Sequence, residues 1–309
     1  MTDDRASTDD RAWLAQQFEA QRGRLRAVAY RMLGSMAEAD DAVQDAWLRV
    51  SRADSSDVEN LGGWLTTIVA RLCLDRLRSR AARPEESLEV HVPDPVVTSA
   101  DDDTGNPERE AELADSIGLA MLVVLERLSP PERLAFVLHD TFGLRFDDIG
   151  RILDRSPVAA RQLASRARRR VRGEISGEGR LEAGVPRSRQ RELAEAFLAA
   201  ARDGDFEALV RVLDPAIVVR ADTGTAGGRL GPSREIRGAA AVARSSMAFR
   251  NLAPGVRRAV VNGALGFVVW SEGRPYAVIG LSYGLNGITE IDILADPERL
   301  ASLELSAAR

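Results

Sequence analysis

The chain has 309 residues, enough for two or three domains at about 150 residues each. Its composition, 45% hydrophobic and 29% charged, is typical of a globular protein. No apolar run approaches the roughly 18 residues of a membrane span, and the first residues lack the pattern of a signal peptide, which predicts a cytoplasmic protein without a membrane partner. One cysteine, Cys73, excludes a disulfide framework, and two histidines leave little for zinc or imidazole chemistry. We expect no metal and no cofactor.

The net charge of −5 is distributed unevenly along the chain. Residues 84–112 hold 1 arginine and 10 acids, whereas residues 113–173 hold 11 arginines and 7 acids. The two flanking segments are neutral. All 42 basic residues are arginine, for which a bias toward GC-rich codons is the simplest explanation. Nucleic-acid binding depends on where charges lie, so the basic segment outweighs the overall sum.

The first 83 residues have the periodicity of three helices. Apolar residues from Leu14 to Met32 define the first, and a capping box at Ser35 and Glu38 begins the second. The exposed face of the second helix carries Asp40, Asp41 and Asp45, a cluster that is also typical of a merely solvated face. After a loop over residues 54–63, a third helix is expected over residues 64–80.

Residues 84–112 contain four prolines and an acidic run, which predicts a flexible linker. Helices follow at residues 113–128 and, after a capping box at Ser129, to about residue 139. Short helices at 146–153 and 157–172, joined by a three-residue turn, form a predicted helix-turn-helix. The second of these has six arginines and no acid. An arginine run can be an ordinary solvated helix, but in this position it predicts DNA contact.

A second linker is predicted at residues 174–188, followed by helices at 190–202 and 206–213. Short strands are expected at 216–220, 257–261, 265–270, 276–283 and 288–294, separated by glycine and Asn-Gly turns. Helices followed by a run of antiparallel strands predict an α+β domain.

Several motifs resemble the extracytoplasmic-function (ECF, group IV) sigma factors of bacterial RNA polymerase. Residues 30–35 and 39–48 resemble the part of region two that binds polymerase, and residues 64–78 resemble its reader of the −10 element. Residues 125–133, 146–149 and 156–163 resemble region four, which reads the −35 element. The resemblance covers residues 13–172. It implies sigma region 2 at 11–83, all-α, a linker at 84–112, and sigma region 4 at 113–173, also all-α.

The C-terminal segment, residues 189–309 after the linker at 174–188, resembles SnoaL-like domains, which have a cone-shaped α+β fold. Sigma factors with this extension form a recognised subgroup. Its members carry an Asp-Gly-Gly-Gly-Lys loop, an Asn-Pro-Asp-Lys-Leu motif and a Trp-Leu-Pro-Glu-Pro linker motif. This chain departs from all three, with residues 222–228, 296–300 and 92–95 in those places. The resemblance gives regulatory roles to Asp222, Asp296, Pro297 and Arg299.

Candidate site residues follow from the helix positions and from the resemblance. For the −35 element they are Arg155, Ser156, Arg161, Gln162, Ser165, Arg166, Arg168 and Arg169, with Leu163 expected in the core. For the −10 element they are Asn60, Trp64, Arg71, Asp75, Arg76 and Arg78, where Asn60 and a Gly62-Gly63 loop would form a pocket for a flipped base. For polymerase they are Asp40, Asp41, Gln44 and Asp45.

Two functional hypotheses follow. The first is a sigma factor that directs promoter-specific initiation with core RNA polymerase and promoter DNA as partners, modulated by contact of its C-terminal domain with the sigma domains. The second is a DNA-binding regulator fused to a SnoaL-type isomerase or cyclase, or to a small-ligand sensor. Asp222, Tyr283, Glu290 and Asp292 are its candidate acids and bases, although strand-end acids are commonly exposed turn residues. We favour the first, which is not an enzyme.

Three roles are open for the acidic linker. Its carboxylates can mimic a nucleic-acid backbone inside polymerase, fold over the arginines of the free protein, or simply keep a disordered spacer soluble.

Overall fold

The computed structural model describes residues 3–53, 58, 60–82, 90–100, 118–175, 185–224, 231–247 and 254–305. The chain forms two compact units, Met1–Glu86 with Leu125–Arg170 and Ser87–Val124 with Val171–Arg309. Within the described ranges, no helix is both long enough and apolar enough to cross a membrane. The unit boundaries differ from the predicted domains, because the structure groups the two sigma-like segments together and assigns the linker to the second unit.

The first unit is helical, as predicted. Its helices are α1 (Asp3–Leu33), α2 (Met36–Val50), α3 (Leu61–Ala81), the end of α4 (Leu119–Glu126), α5 (Pro130–Phe136), α6 (Phe146–Leu153) and most of α7 (Pro157–Ile175). A π-helical turn, Val137–Thr141, continues α5. Ser35 begins α2 as predicted, and its hydroxyl accepts a hydrogen bond from the Glu38 amide. The part of the predicted helix before residue 118 lies outside the described residues.

The third helix begins earlier than the sequence predicts. Asn60 is its N-cap residue, and the Asn60 side-chain oxygen accepts a hydrogen bond from the Gly63 amide at 3.0 Å. Gly62 and Gly63 therefore lie in the first turn of α3, and the expectation that they form a loop is wrong. A Cβ atom at Gly63 would lie 2.9 Å from the Asn60 side-chain nitrogen, so a larger residue at this position would make the capping side chain shift.

Helices of both sigma-like segments pack into this single unit. Arg133 of α5 is buried, and its Nε donates to the Arg31 carbonyl of α1 at 3.1 Å. The Arg31 guanidinium lies 5.1 Å from the centre of the Phe142 ring. Burial lowers the pKa of Arg133 to about 10, even though Glu126 opposes this shift. A buried arginine thus marks the contact between two segments that the sequence treats as separate domains.

The second unit is the α+β domain that the sequence predicts. Its helices are α8 (Arg187–Asp203), α9 (Phe206–Val212), α10 (Ala239–Ser246) and α11 (Pro297–Ser302). Its strands are β1 (Val97–Ser99), β2 (Leu213–Asp222), β3 (Arg234–Arg237), β4 (Val256–Val261), β5 (Ala264–Ser271), β6 (Arg274–Gly284) and β7 (Gly287–Leu294).

These strands form one sheet in the order β1-β4-β5-β6-β7-β2-β3. Five of the six neighbouring pairs are antiparallel, but β2 pairs with β7 in parallel, which corrects the expectation of antiparallel strands throughout. The sequence misses β1, β3 and the two short helices α10 and α11. The missed strands have three and four residues, so neither is long enough to show an alternating pattern.

The predicted linker is in part an edge strand. Val97, Thr98 and Ser99 pair with Val261, Val260 and Ala259 of β4. Just before them, the Val96 amide donates to the Asn262 side chain, and the Asn262 amide donates to the Val96 carbonyl. An open sheet edge supplies the backbone partners that an extended segment needs, which local composition does not reveal. The acidic run at residues 101–103 lies outside the described residues.

Candidate functional site

Helices α6 and α7 form the predicted helix-turn-helix. Asp154 ends α6 in the left-handed conformation (φ 54°), and the Arg155 amide donates to the Gly150 carbonyl at 2.9 Å. A Cβ atom at Gly150 would lie 2.7 Å from the Arg155 carbonyl oxygen, so only glycine fits this close turn. The Ser156 hydroxyl accepts from the Ala159 amide and begins α7. The turn is therefore formed by local interactions of Gly150, Asp154 and Ser156, which is why the sequence predicts it.

One face of α7 is exposed and polar, and the other is buried. Leu163 is buried as predicted, together with Ala160, Ala164 and Ala167. Seven of the eight residues predicted for the −35 element are exposed, namely Arg155, Ser156, Arg161, Gln162, Ser165, Arg166 and Arg169. The eighth, Arg168, is half-buried, and its Nε donates to the Asp140 carboxylate at 2.6 Å. The exposed face has the form of a DNA-reading helix.

Two arginines that the sequence analysis did not select extend this basic surface. Arg145 and Arg151 line an open depression of about 570 Å³ together with Arg155 and Ser156. Arg145 pairs with Asp147 and Arg151 with Asp148, and both arginine side chains are more than three-quarters exposed. Their position around the turn, rather than on the second helix, is the reason that an arginine count along α7 misses them.

On α2, the four residues predicted for polymerase binding differ in their surroundings. Asp40 pairs with Arg26 at 2.8 Å, and Asp45 pairs with Arg76 at 2.7 Å. Asp41 and Gln44 are exposed, and Leu48 one turn further along is 44% exposed. The spacing of Asp41, Gln44 and Leu48 places them in one row along the helix. Leu48 was not among the predicted residues, and it adds an exposed apolar side chain to this polar row.

The −10 candidates are not brought together in one place. Asn60 and Trp64 lie at the start of α3, whereas Arg78 lies about 27 Å along the helix at 1.5 Å per residue. Arg76 donates to Asp45 and to the Glu38 carbonyl, and Arg71 donates to the Arg151 carbonyl at 2.9 Å. Asp75 lies 3.9 Å from Arg78. The Asn60 amide oxygen caps the helix, so its role in α3 is structural at least in part.

Two of the four predicted regulatory residues, Asp222 and Arg299, meet the linker in the second unit. Arg299 of α11 donates from Nη1 to the Asp222 carboxylate and from Nε to the Asp94 carboxylate, both at 2.7 Å. Arg299 Nη2 donates to the Val92 carbonyl, while the Val92 amide donates to Asp222 at 3.0 Å. His91 Nδ1 lies 3.2 Å from the Asp222 carboxylate. We call this group of residues, 91, 92, 94, 222 and 299, the linker clamp.

Local structure holds the parts of the linker clamp in place. Asp296 is the N-cap of α11 and accepts from the Glu298 amide at 2.9 Å, which sets the direction of the helix that carries Arg299. Asp222 ends β2 and is fully buried. Burial raises the pKa of Asp222, but hydrogen bonds from His91, Val92 and Gly224 and the charge of Arg299 lower it to about 2. The carboxylate is therefore held in its charged form.

The proposed acids and bases of the C-terminal domain are buried rather than exposed at strand ends, which corrects that expectation. Arg220 Nη1 donates to Glu290 and Asp292, each at 3.1 Å, and all three side chains are at most 4% exposed. The Tyr283 hydroxyl donates to the Leu265 carbonyl at 2.6 Å. Burial raises the pKa of Tyr283. Glu290, Asp292 and Tyr283 are therefore engaged in hydrogen bonds with other residues of the sheet.

Comparison with known proteins identifies the sigma-like segments. Residues 17–83 match the family model of Sigma-70 region 2, and residues 119–171 match that of Sigma-70, region 4. The ECF RNA polymerase sigma factor SigJ of Mycobacterium tuberculosis (H37Rv) is 39% identical over 265 residues, which span 84% of this chain and 81% of SigJ.

The chain belongs to the ECF RNA polymerase sigma factors. The probable ECF sigma factor SigI of M. tuberculosis (H37Rv) is 38% identical over 208 residues, covering 66% of this chain and 68% of SigI. The crystal structure of M. tuberculosis SigJ matches with a TM-score of 0.73 at 32% identity, over 94% of this chain and all of the SigJ chain.

This ECF sigma factor directs transcription initiation from promoters, with core RNA polymerase and promoter DNA as its partners. The similarity to SigJ extends through the α+β unit, which is a SnoaL-like C-terminal domain. The related proteins are named as sigma factors and not as enzymes. The predicted fold class and family are thereby confirmed.

Proposed function

We propose that the C-terminal domain regulates this sigma factor by holding residues 91–99 of the linker. One observation carries the proposal, namely that Arg299 bonds at once to Asp222 of the domain and to Val92 and Asp94 of the linker. The pairing of β1 with β4 continues the same attachment. Two of the four residues that the resemblance links to regulation, Asp222 and Arg299, meet the linker.

The linker clamp opposes the assembly of the holoenzyme. The resemblance to this family implies that the segment between regions 2 and 4 threads through polymerase. A segment held as an edge strand has to leave the sheet first, and the free energy of release lowers the apparent affinity for polymerase. The regulator is thus built into the chain and acts on the linker.

The contact surfaces follow from the exposed residues. Polymerase binds α2 through Asp40, Asp41, Gln44 and Asp45, with Leu48 beside them. The exposed face of α7, with Arg161, Arg166 and Arg169, binds the −35 element together with the arginines around the turn, Arg155 among them. Helix α3 binds the −10 element. The C-terminal domain has no catalytic role, and the protein acts in the cytoplasm, where polymerase is found.

Transcription with purified core polymerase tests the regulatory proposal. The full chain is compared with a chain that ends after Gly177, and the truncated chain is expected to differ in promoter-dependent transcript yield. Because Ser87–Val124 belongs to the second unit, truncation also removes the packing partner of this segment. Point variants of the linker clamp are therefore the sharper test. Equal transcription by both chains would remove support for regulation, and duplex binding without any initiation would favour an independent DNA-binding regulator.

Replacing Asp40 and Asp41 together with alanine is expected to weaken core polymerase binding at least tenfold without unfolding the chain. Both side chains lie on the solvent side of α2, and the Asp40–Arg26 pair is nearly half exposed, so its loss costs little stability. Polymerase affinity and helical circular dichroism are measured side by side. Glu19→Ala, which removes an exposed acid paired with Arg22, is the matched control. Unchanged affinity in the double variant would refute this surface.

Replacing Arg161 and Arg166 with alanine is expected to weaken binding to duplexes that contain the −35 element far more than binding to scrambled duplexes. Each side chain that reads a base contributes about 1–3 kcal/mol to discrimination, whereas a phosphate contact affects all sequences equally. Titration of both duplexes at several salt concentrations separates the two effects. An equal loss on every sequence would show that these arginines touch only phosphates.

A further inference from the structure

The C-terminal domain contains a cavity that neither the linker clamp nor the sigma regions use. It lies between the sheet and helices α8 and α10. Its volume is about 80 Å³, measured as the space open to the centre of a water molecule. Val219 and Ala221 of β2 line it, as do Ile291 and Ile293 of β7. Because side chains alternate along a strand, Arg220, Asp222 and Asp292 point to the opposite face of the sheet. The cavity and the linker clamp therefore lie on different faces.

The walls of this cavity are apolar except for two arginines and two serines. Phe197 and Phe267 are buried wall residues. Arg202, Arg234, Ser245 and Ser246 are the polar residues of the described lining, which includes no acid. Arg202 is exposed and the other three are half-buried, so we place the mouth of the cavity at this polar end. An apolar interior with a cationic mouth is suited to a ligand that is apolar at one end and anionic at the other.

The same lining indicates binding rather than catalysis. None of its described members is a carboxylate, histidine, cysteine or tyrosine, so no group with a suitable pKa faces the interior. Asp222 of β2 and the acids Glu290 and Asp292 of β7 lie across the sheet, where Arg299 and Arg220 hold them. Within the described lining, the polar groups that a ligand in the cavity meets are guanidinium and hydroxyl groups.

We propose that this cavity binds a small apolar molecule that carries one carboxylate or a similar anionic group. At about 10–15 Å³ of such space per water, the cavity holds roughly six waters, which corresponds to an apolar body of about six to eight non-hydrogen atoms. The arginines at the mouth bond the anionic group, and the serine hydroxyls donate to it. The proposal does not depend on the regulatory role of the domain, because it concerns binding alone.

Isothermal titration of the full-length protein with hexanoate tests the proposal. We expect saturable binding of one hexanoate per chain, with 1-hexanol at least tenfold weaker and hexyltrimethylammonium without measurable binding. Ala221→Leu fills the cavity from β2 and is expected to abolish binding. Ala201→Leu fills it from α8 and serves as the second variant if Ala221→Leu does not fold, as judged by circular dichroism.

Charge variants separate the mouth from the surface at large. Arg202→Gln with Arg234→Gln is expected to weaken hexanoate about tenfold and to leave hexanol unchanged. Arg244→Gln, which removes an exposed arginine of α10 outside the lining, is the matched control and should leave hexanoate binding as it is. No binding of hexanoate, binding that survives both cavity-filling variants, or equal binding of the cationic analogue would each overturn the proposal.

Discussion

Arg299→Ala is expected to release residues 91–99 from the C-terminal domain and to strengthen core polymerase binding about tenfold or more. Arg299 connects two acids, one on each side of the contact, and its removal leaves the fully buried Asp222 without this guanidinium. Breaking a buried ion pair on one side costs about 3 kcal/mol. Since 1.4 kcal/mol corresponds to a factor of ten, release of the linker should be visible both in the free protein and in holoenzyme formation.

Two measurements check this result. Hydrogen exchange of the Val92 amide and of the β1 amides should accelerate, because the bonds that protect them are lost. Polymerase affinity is measured on the same protein. Arg189→Ala, which removes an exposed pair with Glu192 on α8 of the same domain, is the matched control and should change neither quantity. Faster exchange without tighter polymerase binding would show that the linker clamp is structural and would contradict the regulatory proposal.

The pH dependence of the linker clamp gives an independent check. The pKa of Asp222 is about 2 in the folded protein, below its ordinary value of 3.8. The stability linked to this group, about 2 kcal/mol, is therefore present above pH 4 and is lost as the pH falls toward 2. In Asp222→Asn this contribution is missing at every pH, so the stability difference between the two proteins should shrink on acidification. A difference that stays constant between pH 7 and pH 3 would contradict this assignment.

The second large effect is expected for Arg220→Met, which should destabilise the C-terminal domain by about 3 kcal/mol or more. Arg220 Nη1 bonds to both Glu290 and Asp292, and these carboxylates are at most 4% exposed. Without the guanidinium, two neighbouring buried carboxylates lose the cation that they share. This loss is a large fraction of the 5–15 kcal/mol that typically stabilises a folded protein.

Chemical unfolding at two pH values tests the reason for this loss. In Arg220→Met, burial without the guanidinium disfavours the charged carboxylates in the folded state, so stability should recover as the pH falls. The deficit relative to the parent protein should therefore be smaller at pH 5 than at pH 8. The triple variant with Glu290→Gln and Asp292→Asn, which removes the charges together, should recover part of the stability at pH 8. A deficit that is independent of pH would point to lost packing instead.

Helices and their ends could be predicted from the sequence because their signals are local. The capping residues Ser35 and Ser129, the Asp154 turn and the arginine run on α7 all act within a few residues of chain, and the structure has these elements where the sequence predicts them. The start of α3 is the exception, since Asn60 caps the helix across two glycines that read as a loop.

The amino-acid sequence by itself determined the helical sigma regions and the α+β C-terminal domain. Its resemblance to known proteins also gave the candidate regulatory residues, Asp222 and Arg299 among them. Only the tertiary structure decided that β2 and β7 run in parallel, that residues 97–99 complete the sheet and that Arg299 joins Asp222 to the linker. The physical reason is separation along the chain. Val92, Asp222 and Arg299 are brought together by backbone pairing at a sheet edge and by the burial of one carboxylate, and neither leaves a periodic signal in the sequence.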